Sequence, residues 1–407
     1  MRTKKSRNVK GATVSCIILG IIFFVSFAYV LDSDNATLVP DNDSSSDQIA
    51  ESESVSETND ASHPQFVRSI PNVSLSICDP GLGAYYIQPS MADSLLLLTS
   101  QNVINQDETE NLVMLYDISA DRLTDLGIRS LYPQIVGSNV YFFEYDAETG
   151  LVGKELKKHD IITDEEETVY VCDEAPYLSL YFSDNYLIWY EQSDPQNVIG
   201  GGHEEIYGIE CKQVVFSLEN MQIYKVFDDY IYMPGVKPAY SNGLVSVSKR
   251  EGNSFRLTIM DINSEEEIFG INTLKCPEYV SFDDQFLAVQ INGFPIQIFD
   301  MKNNLCIEEN LAGTVGYQIY NGLLLTSLNG ALTVQDLVDP AKTIFETNTE
   351  NGWNEPFYGS STDTGSYGNR YFYTGYFSAN GNLFITRRID REKSGYMEIC
   401  ILKIGDN

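Results

Sequence analysis

Asp283-Asp284-Gln285-Phe286-Leu287-Ala288-Val289, with Phe299-Asp300-Met301-Lys302-Asn303-Asn304 following ten residues later, carries the reading of this chain. A polar turn opens a short apolar strand, a second strand follows, and an Asp with an aliphatic neighbour ends it in another polar turn. The same phrase recurs seven times between residue 93 and the C-terminus. Its opening turns are Asp93-Ser94, Gly137-Ser138-Asn139, Ser183-Asp184-Asn185, Ser241-Asn242-Gly243, Asp283-Asp284-Gln285, Asn321-Gly322 and Asn380-Gly381-Asn382. Its closing markers are Asp117-Ile118, Asp160-Ile161, a degenerate Glu210, Asp261-Ile262, Asp300-Met301, Asp336-Leu337 and a degenerate Lys403-Ile404. The spacing is about 45 residues, the size of one four-stranded propeller blade.

Each marker Asp has a mechanical reading. Placed at the end of a blade's third strand, its carboxylate can hold the backbone of the turn into the fourth. No helical periodicity longer than about two turns interrupts the β pattern. Two β-sandwiches would not repeat one phrase seven times, so the expectation over residues 71–407 is an all-β, seven-bladed β-propeller. The long intervals Leu187–Leu244 and Leu323–Leu383 leave six or eight blades as alternatives, with Gln222–Met233 readable as part of an extra blade.

The phrase of an apolar residue, Asp, an aliphatic residue and a turn resembles the TolB-like and WD40-like propeller superfamily of extracytoplasmic bacterial proteins. The resemblance covers about residues 72–407. It lacks the recurring Trp-Asp and Gly-His pairs of true WD40 blades; Trp189 and Trp353 are the only tryptophans, and Gly202-His203 occurs once. It implies an extracytoplasmic binding or scaffolding module and transfers no catalytic residue.

The N-terminus supplies the setting. Arg2, Lys4, Lys5, Arg7 and Lys10 form a basic tail over residues 1–10, ahead of an uncharged run from Gly11 to Leu31. Its 21 residues suffice, at about 1.5 Å each, to span the roughly 30 Å apolar core of a bilayer. The charge asymmetry points the tail into the cytoplasm and the remainder outward, as a single-pass signal-anchor in the cell membrane. Residues 32–70 read as a disordered acidic linker, nine acidic side chains against Arg68. Outside the five basic residues of the tail, 21 basic face 58 acidic side chains, a net of −37. Such a surface repels nucleic acid and suits cationic partners.

Candidate chemistry is thin. His203 sits in Gly200-Gly201-Gly202-His203-Glu204-Glu205 without the second His of a zinc-protease helix. Adjacent carboxylates such as Asp228-Asp229 and Asp283-Asp284 point to opposite faces of a strand, unlike a glycosidase pair. The clusters Asp164-Glu165-Glu166-Glu167 and Glu265-Glu266-Glu267 read as solvated turns between third and fourth strands, with weak calcium binding as the other reading. No cofactor, resident metal or catalytic residue is expected. Trp353, Phe357, Tyr358 and Tyr367, interleaved with small polar residues, read as a recognition loop. A protein or a cell-envelope glycan is the expected ligand, and a glycan hydrolase or lyase working in the propeller funnel is the alternative.

One expectation concerns closure. The last repeat stops after its third strand, Met397–Ile404, while Val73–Cys78 alternates apolar and polar residues as an outer strand does. Pairing of the two would complete the last blade and bring Cys78 near Cys400, within reach of a disulfide.

Overall fold

The computed structural model describes residues 66–68, 73–76, 85–105, 108–146, 151–177, 180–192, 210–232, 239–291, 295–311, 314–328, 331–339, 343–346, 372–377, 382–388 and 396–404. All belong to a unit spanning residues 64–407. The expected membrane segment 11–31 lies outside the described residues; among the latter no helix is long and apolar enough to cross a membrane.

Every regular element described is a strand. Two short ones, β1 (Phe66–Arg68) and β2 (Val73–Ser76), come first. An antiparallel sheet follows in chain order: β3 (Tyr85–Ala92), β4 (Leu95–Asn105), β5 (Glu108–Asp117) and β6 (Arg122–Arg129). The next is β7 (Gln134–Val136), β8 (Asn139–Asp146), β9 (Leu151–Asp160) and β10 (Glu165–Val171). A nine-stranded sheet holds two such meanders. The first is β11 (Ala175–Pro176), β12 (Tyr181–Ser183), β13 (Tyr186–Gln192), β14 (Glu210–Ser217) and β15 (Gln222–Tyr232). The second is β16 (Tyr240–Ser241), β17 (Leu244–Glu251), β18 (Ser254–Asp261) and β19 (Glu267–Thr273). They are joined through the pairing of Ile231 with Lys249. Two four-stranded sheets come next: β20 (Pro277–Phe282), β21 (Phe286–Ile291), β22 (Ile296–Asp300) and β23 (Leu305–Leu311), then β24 (Thr314–Tyr320), β25 (Leu323–Leu328), β26 (Ala331–Asp336) and β27 (Thr343–Glu346). The last holds β28 (Phe372–Phe377), β29 (Asn382–Arg388) and β30 (Tyr396–Ile404). Residues 222–232, which the sequence left open as part of an extra blade, are the fourth strand of the third meander, paired with β14.

The expected closure is present. β2 runs antiparallel to β30 with Val73 opposite Ile399 and Ser76 opposite Tyr396. β1 extends the ladder, Phe66 opposite Ile404, so paired strand begins inside residues 32–70, which composition alone assigned to the linker. The register bears on the expected disulfide. β2 comes nearest Cys400 at Val73 and moves away from it toward Ser76, while Cys78 lies outside the described residues.

The marker aspartates do what their position requires. Asp117, Asp160, Asp261, Asp300 and Asp336 each end a third strand. Asp261 Oδ1 accepts the backbone N–H groups of Asn263 and Ser264, both at 2.8 Å. Asp160 Oδ1 accepts those of Ile162 and Thr163 at 2.8 and 3.2 Å, and Asp336 repeats the arrangement with Val338 and Asp339. The aliphatic neighbour has its own role. Ile118, Ile161, Ile262, Met301 and Leu337 each donate a backbone N–H, at 2.8–2.9 Å, to the turn between the first and second strands. The third repeat corrects the sequence reading. Its marker is Ser217-Leu218, not Glu210: Leu218 donates to Asn185 O at 2.9 Å, and Ser217 Oγ accepts Asn220 N–H at 3.3 Å. The signal missed was a hydroxyl standing in for a carboxylate.

The core lies in layers between successive sheets. Leu97, Val113 and Leu115 of the first sheet meet Ile135, Val140 and Phe142 of the second. Phe143 and Leu156 of the second meet Trp189, Val214 and Phe216 of the third meander. Leu257, Ile259 and Phe269 meet Leu287 and Val289 in the same way. Second strands are therefore covered on both faces, which is why Leu96-Leu97-Leu98 is a continuous apolar run in place of an alternation. Trp189 anchors one layer with its indole 5.6 Å from the Phe143 ring, edge on at 70°.

The acidic clusters fall partly elsewhere than expected. Asp164 is in the turn, but Glu165, Glu166 and Glu167 open the outer strand β10, where Glu166 pairs with Lys157 at 3.0 Å and Glu167 with Lys158. Glu265 and Glu266 occupy a turn, and Glu267 starts β19 and pairs with Arg256. These ion pairs are half-exposed and each contributes about 0–1 kcal/mol.

Candidate functional site

First strands of successive sheets stand side by side, β3 beside β7, β16 beside β20, β20 beside β24 and β24 beside β28, so they surround a common axis. Polar stitches hold them. Ser90 Oγ accepts Ile135 N–H at 3.2 Å, and Ser281 Oγ accepts Ile319 N–H at 2.8 Å. Gln134 Nε2 donates to Leu180 O at 3.0 Å, and Tyr317 Oη donates to Tyr279 O at 2.7 Å. The Tyr279 and Tyr317 rings meet edge to face at 6.4 Å, yet Tyr279 remains 39 % exposed. Loss of hydration raises the Glu278 carboxyl beside them above its usual range.

At the end of the axis that carries the first-to-second-strand turns lie side chains from three meanders, two of them within the nine-stranded sheet. Tyr181 lies on β12, Asp184 in the turn after it, Tyr240 on β16, and Tyr320 at the end of β24. Asp184 adopts a left-handed backbone, φ 50°, which Asp tolerates better than most residues. The Tyr240 hydroxyl hydrogen-bonds the Asp184 carboxylate. Tyr186 buttresses that ring at 5.8 Å and is itself packed on Tyr224 at 5.3 Å. Burial pushes the Tyr181 hydroxyl up to about 12, with the charge of Asp184 and then Tyr320 adding to the effect. The hydroxyl of Tyr320 is raised in the same way, first by burial and then by Asp184. Among the described residues no Lys or Arg forms an ion pair with Asp184. The charge of Asp184 is thus felt by three phenols, and among the described residues no cation pairs with it.

A buried carboxylate elsewhere is structural in character. Glu191, 2 % exposed, accepts Trp189 Nε1–H at 3.1 Å and Glu174 N–H at 3.4 Å, and hydrogen-bonds the Cys172 thiol. Burial pushes that thiol far above its ordinary range, so Cys172 is not a poised nucleophile. Cys172 and Cys211 are buried thiols without a disulfide. His159, 6 % exposed, lies 3.7 Å from Asp164 Oδ1. Among the described residues no three His, Cys, Asp or Glu side chains are placed together to hold a metal ion.

Of the residues singled out from sequence, Trp353, Phe357, Tyr358, Tyr367 and His203 lie outside the described residues. Cys400 is in β30, its backbone opposite Ile385. Sequence reading missed the axial tyrosines. Tyr181, Tyr240 and Tyr320 are far apart in the chain, and only their common place on a first strand, within three residues of the turn that follows, could have linked them.

No family model matches the chain, and no curated protein matches it. Solved structures do. The β-propeller domain of the trilobed protease from Pyrococcus furiosus, which reveals an open velcro topology, is similar at 13 % identity and a TM-score of 0.52, over 80 % of this chain and 96 % of that one. BamB from Moraxella catarrhalis aligns at 9 % identity and 0.44, over 83 % and 100 %. Acylaminoacyl peptidase from Pyrococcus horikoshii aligns at 13 % and 0.48, over 75 % of this chain and 49 % of its own, so the chain spans about half the length of that peptidase. The likeness to the protease propeller, together with the repeated four-stranded sheets, makes the fold a β-propeller.

Proposed function

We propose that this chain is a binding module, a seven-bladed propeller held on the outer side of a cell membrane by residues 11–31, that receives a protein partner. In this reading the nine-stranded sheet counts as two blades, and β2 on β30 completes the last one. The observation that carries the reading is the convergence of Tyr181, Tyr240 and Tyr320 on Asp184. Phenols and one carboxylate from separate meanders, held by packing, suit recognition of a cationic group. Hydrolysis of a glycan needs two carboxyl groups about 5–9 Å apart across the scissile bond. Here one carboxylate is hydrogen-bonded to a tyrosine. The chain's net charge of −32 steers a basic partner toward it. Trp353, Phe357, Tyr358 and Tyr367 form a second recognition element in this reading, with His203 in its glycine loop as a lesser contact.

The full-length chain in detergent, used as bait on envelope extract, tests it. A basic protein retained in fixed stoichiometry is expected, together with no release of reducing ends from purified envelope glycan. Turnover of the glycan would overturn the reading and restore the hydrolase or lyase alternative.

A further inference from the structure

Two interfaces between successive meanders share a buried polar arrangement. Tyr190, the fifth residue of β13, and Gln213 of β14 stand directly opposite in the ladder, so their side chains leave the same face of the sheet. That face packs on the fourth meander through Ile188, Val215, Phe227, Val245 and Val247. Both residues are 0 % exposed, yet Tyr190 Oη and both ends of the Gln213 carboxamide have no hydrogen-bond partner within the protein. Native interiors rarely leave such groups unpaired. The first meander repeats the arrangement. Thr99 is the fifth residue of β4, and Asn111 of β5 lies diagonally across from it, on the face where Leu97 and Val113 meet the second meander. Each is 1 % exposed, and Thr99 Oγ1 and Asn111 Oδ1 are again unpartnered.

Beside each amide the ladder to the fourth strand slips. Residues 228–230 of β15 face Lys212 alone, and residues 126–128 of β6 face Val113 alone. Such a bulge bends the strand and breaks the ladder, so close packing is interrupted where the amide lies. We propose that each arrangement binds one internal water molecule, held between a second-strand hydroxyl and a third-strand amide at the interface with the following meander. A direct Tyr190–Gln213 bond would engage two of the three unpartnered atoms and leave the third among aliphatic walls. Water has two donors and two acceptors and meets all three: it donates to Gln213 Oε1, accepts from Gln213 Nε2 and bonds Tyr190 Oη. Internal waters make about three bonds, the number on offer here. Burial keeps Tyr190 protonated well beyond neutral pH, so its hydroxyl can donate or accept. The phenol carries its oxygen further from the strand than the Gln amide does, and a bridge spans that stagger more readily than a direct bond. Thr99 and Asn111 are short side chains on Cα atoms about 7–8 Å apart at the diagonal, a gap of the same kind. The sites belong to the repeat and do not depend on which partner the propeller receives.

Oxygen-17 magnetic relaxation dispersion of the full-length chain in detergent counts water molecules that stay bound longer than the molecule takes to tumble. Tyr190→Phe/Gln213→Met replaces both polar groups by apolar ones of similar shape and is expected to lower the count by about one molecule. Thr99→Val/Asn111→Leu should lower it by about one more. Tyr224→Phe removes an exposed hydroxyl bonded to Asn263 and should leave the count unchanged. A count unchanged in both double variants would overturn the proposal, and so would an equal loss in Tyr224→Phe. Loss in one pair alone would overturn the site as a feature of the repeat. Should the double variants fail to fold, a crystal structure of the unmodified chain decides. Ordered water within hydrogen-bond distance of Tyr190 Oη and Gln213 supports the site; direct contact between the two side chains, with nothing between them, overturns it.

Discussion

Asp283 Oδ2 accepts the backbone N–H of Gly322 at 2.6 Å, so the first turn of one sheet holds the first turn of the next. The other oxygen, Oδ1, accepts Gln285 N–H at 2.8 Å and Phe286 N–H at 2.7 Å within its own turn. The residue is 1 % exposed, a carboxylate buried and bonded wholly to backbone donors. Gly322, at φ 76° beside Asn321 at 46°, forms with it a two-residue turn of the kind that matches strand twist.

Removing that carboxylate leaves three backbone donors unpaired, two of them in its own turn. Each costs about 1–3 kcal/mol when buried. Asp283→Ala should therefore lower stability by roughly 3 kcal/mol or more, and Asp284→Ala, an exposed neighbour paired with Lys302, by less than about 1 kcal/mol. Denaturant melts of the two variants check it; equal losses would show that Asp283 does not couple the sheets.

Much of this architecture is legible in the sequence because it is local. A turn, a short strand and a capping Asp are decided within a few residues, and the markers of the first, second, fourth, fifth and sixth repeats were found that way. Ser217 was missed because a hydroxyl does the same work with a different letter. The axial site was not legible at all. Two of its members lie on first strands of three and two residues, Tyr181–Ser183 and Tyr240–Ser241, too short to show a period, and Tyr320 ends a longer one far along the chain. Their proximity comes from sheets meeting around an axis, which no window of sequence contains.

The third repeat carries a second irregularity that can be repaired. Asp121, Asp164, Glu265 and Asn304 stand four residues after their markers with positive φ, and Met221 occupies the same place at φ 52°. A left-handed backbone costs a Met about 1–2 kcal/mol, less for Asn. Met221→Asn should raise stability by about 0.5–1 kcal/mol, since the side chain is partly exposed and loses little burial. A melting temperature that falls would mean Met221 packs against more than its turn.

Acid should loosen the turns. The Ser119 hydroxyl and Ala120 N–H hold Asp117 below the usual carboxylate range, and Ser264 and Asn263 N–H do so for Asp261. At Asp300 partial burial pulls upward, but hydrogen bonds from Asn303 and Gln285 outweigh it and the value also falls. Groups lowered by folding stabilise above their unfolded pKa, about 3.9, and lose that contribution as pH falls through the folded values. Glu278, raised by burial, acts in the opposite sense: its contribution is present in acid and disappears as pH rises through its folded value. Three groups against one predict a net loss of stability below about pH 4. Asp261→Asn should flatten the stability-versus-pH curve there, and an unchanged slope would refute the assignment.

Alkali should act through the axis. Burial raises Tyr181 to about 12 and holds Tyr190, Tyr240, Tyr317 and Tyr320 above the ordinary phenol range. Stability from raised groups is complete below the unfolded value, about 10, and is lost as pH rises through the folded values. Tyrosinate absorbance should therefore rise in two phases, a reversible one near pH 10 and a later one coincident with unfolding. In guanidinium a single phase near pH 10 is expected. One phase in the native chain would show these rings to be hydrated.

Closure by the N-terminal strands gives the most direct test of the fold. β1 and β2 pair through three and four residues with β30, and no C-terminal strand occupies that place among the described residues. A chain shortened to begin at residue 64 retains both strands and should melt as the full-length chain does. One shortened to begin at residue 80 loses both, together with a ladder whose bonds contribute about 0.5–1.5 kcal/mol each. It also leaves the outer side of β30 open, an edge that invites pairing with a second copy. The expected outcome is a stability loss of roughly 3–7 kcal/mol, accompanied by concentration-dependent association. A shortened chain that is monomeric and melts unchanged would mean that β29 and β28 hold β30 without help, and that the N-terminal strands merely rest on a sheet already closed.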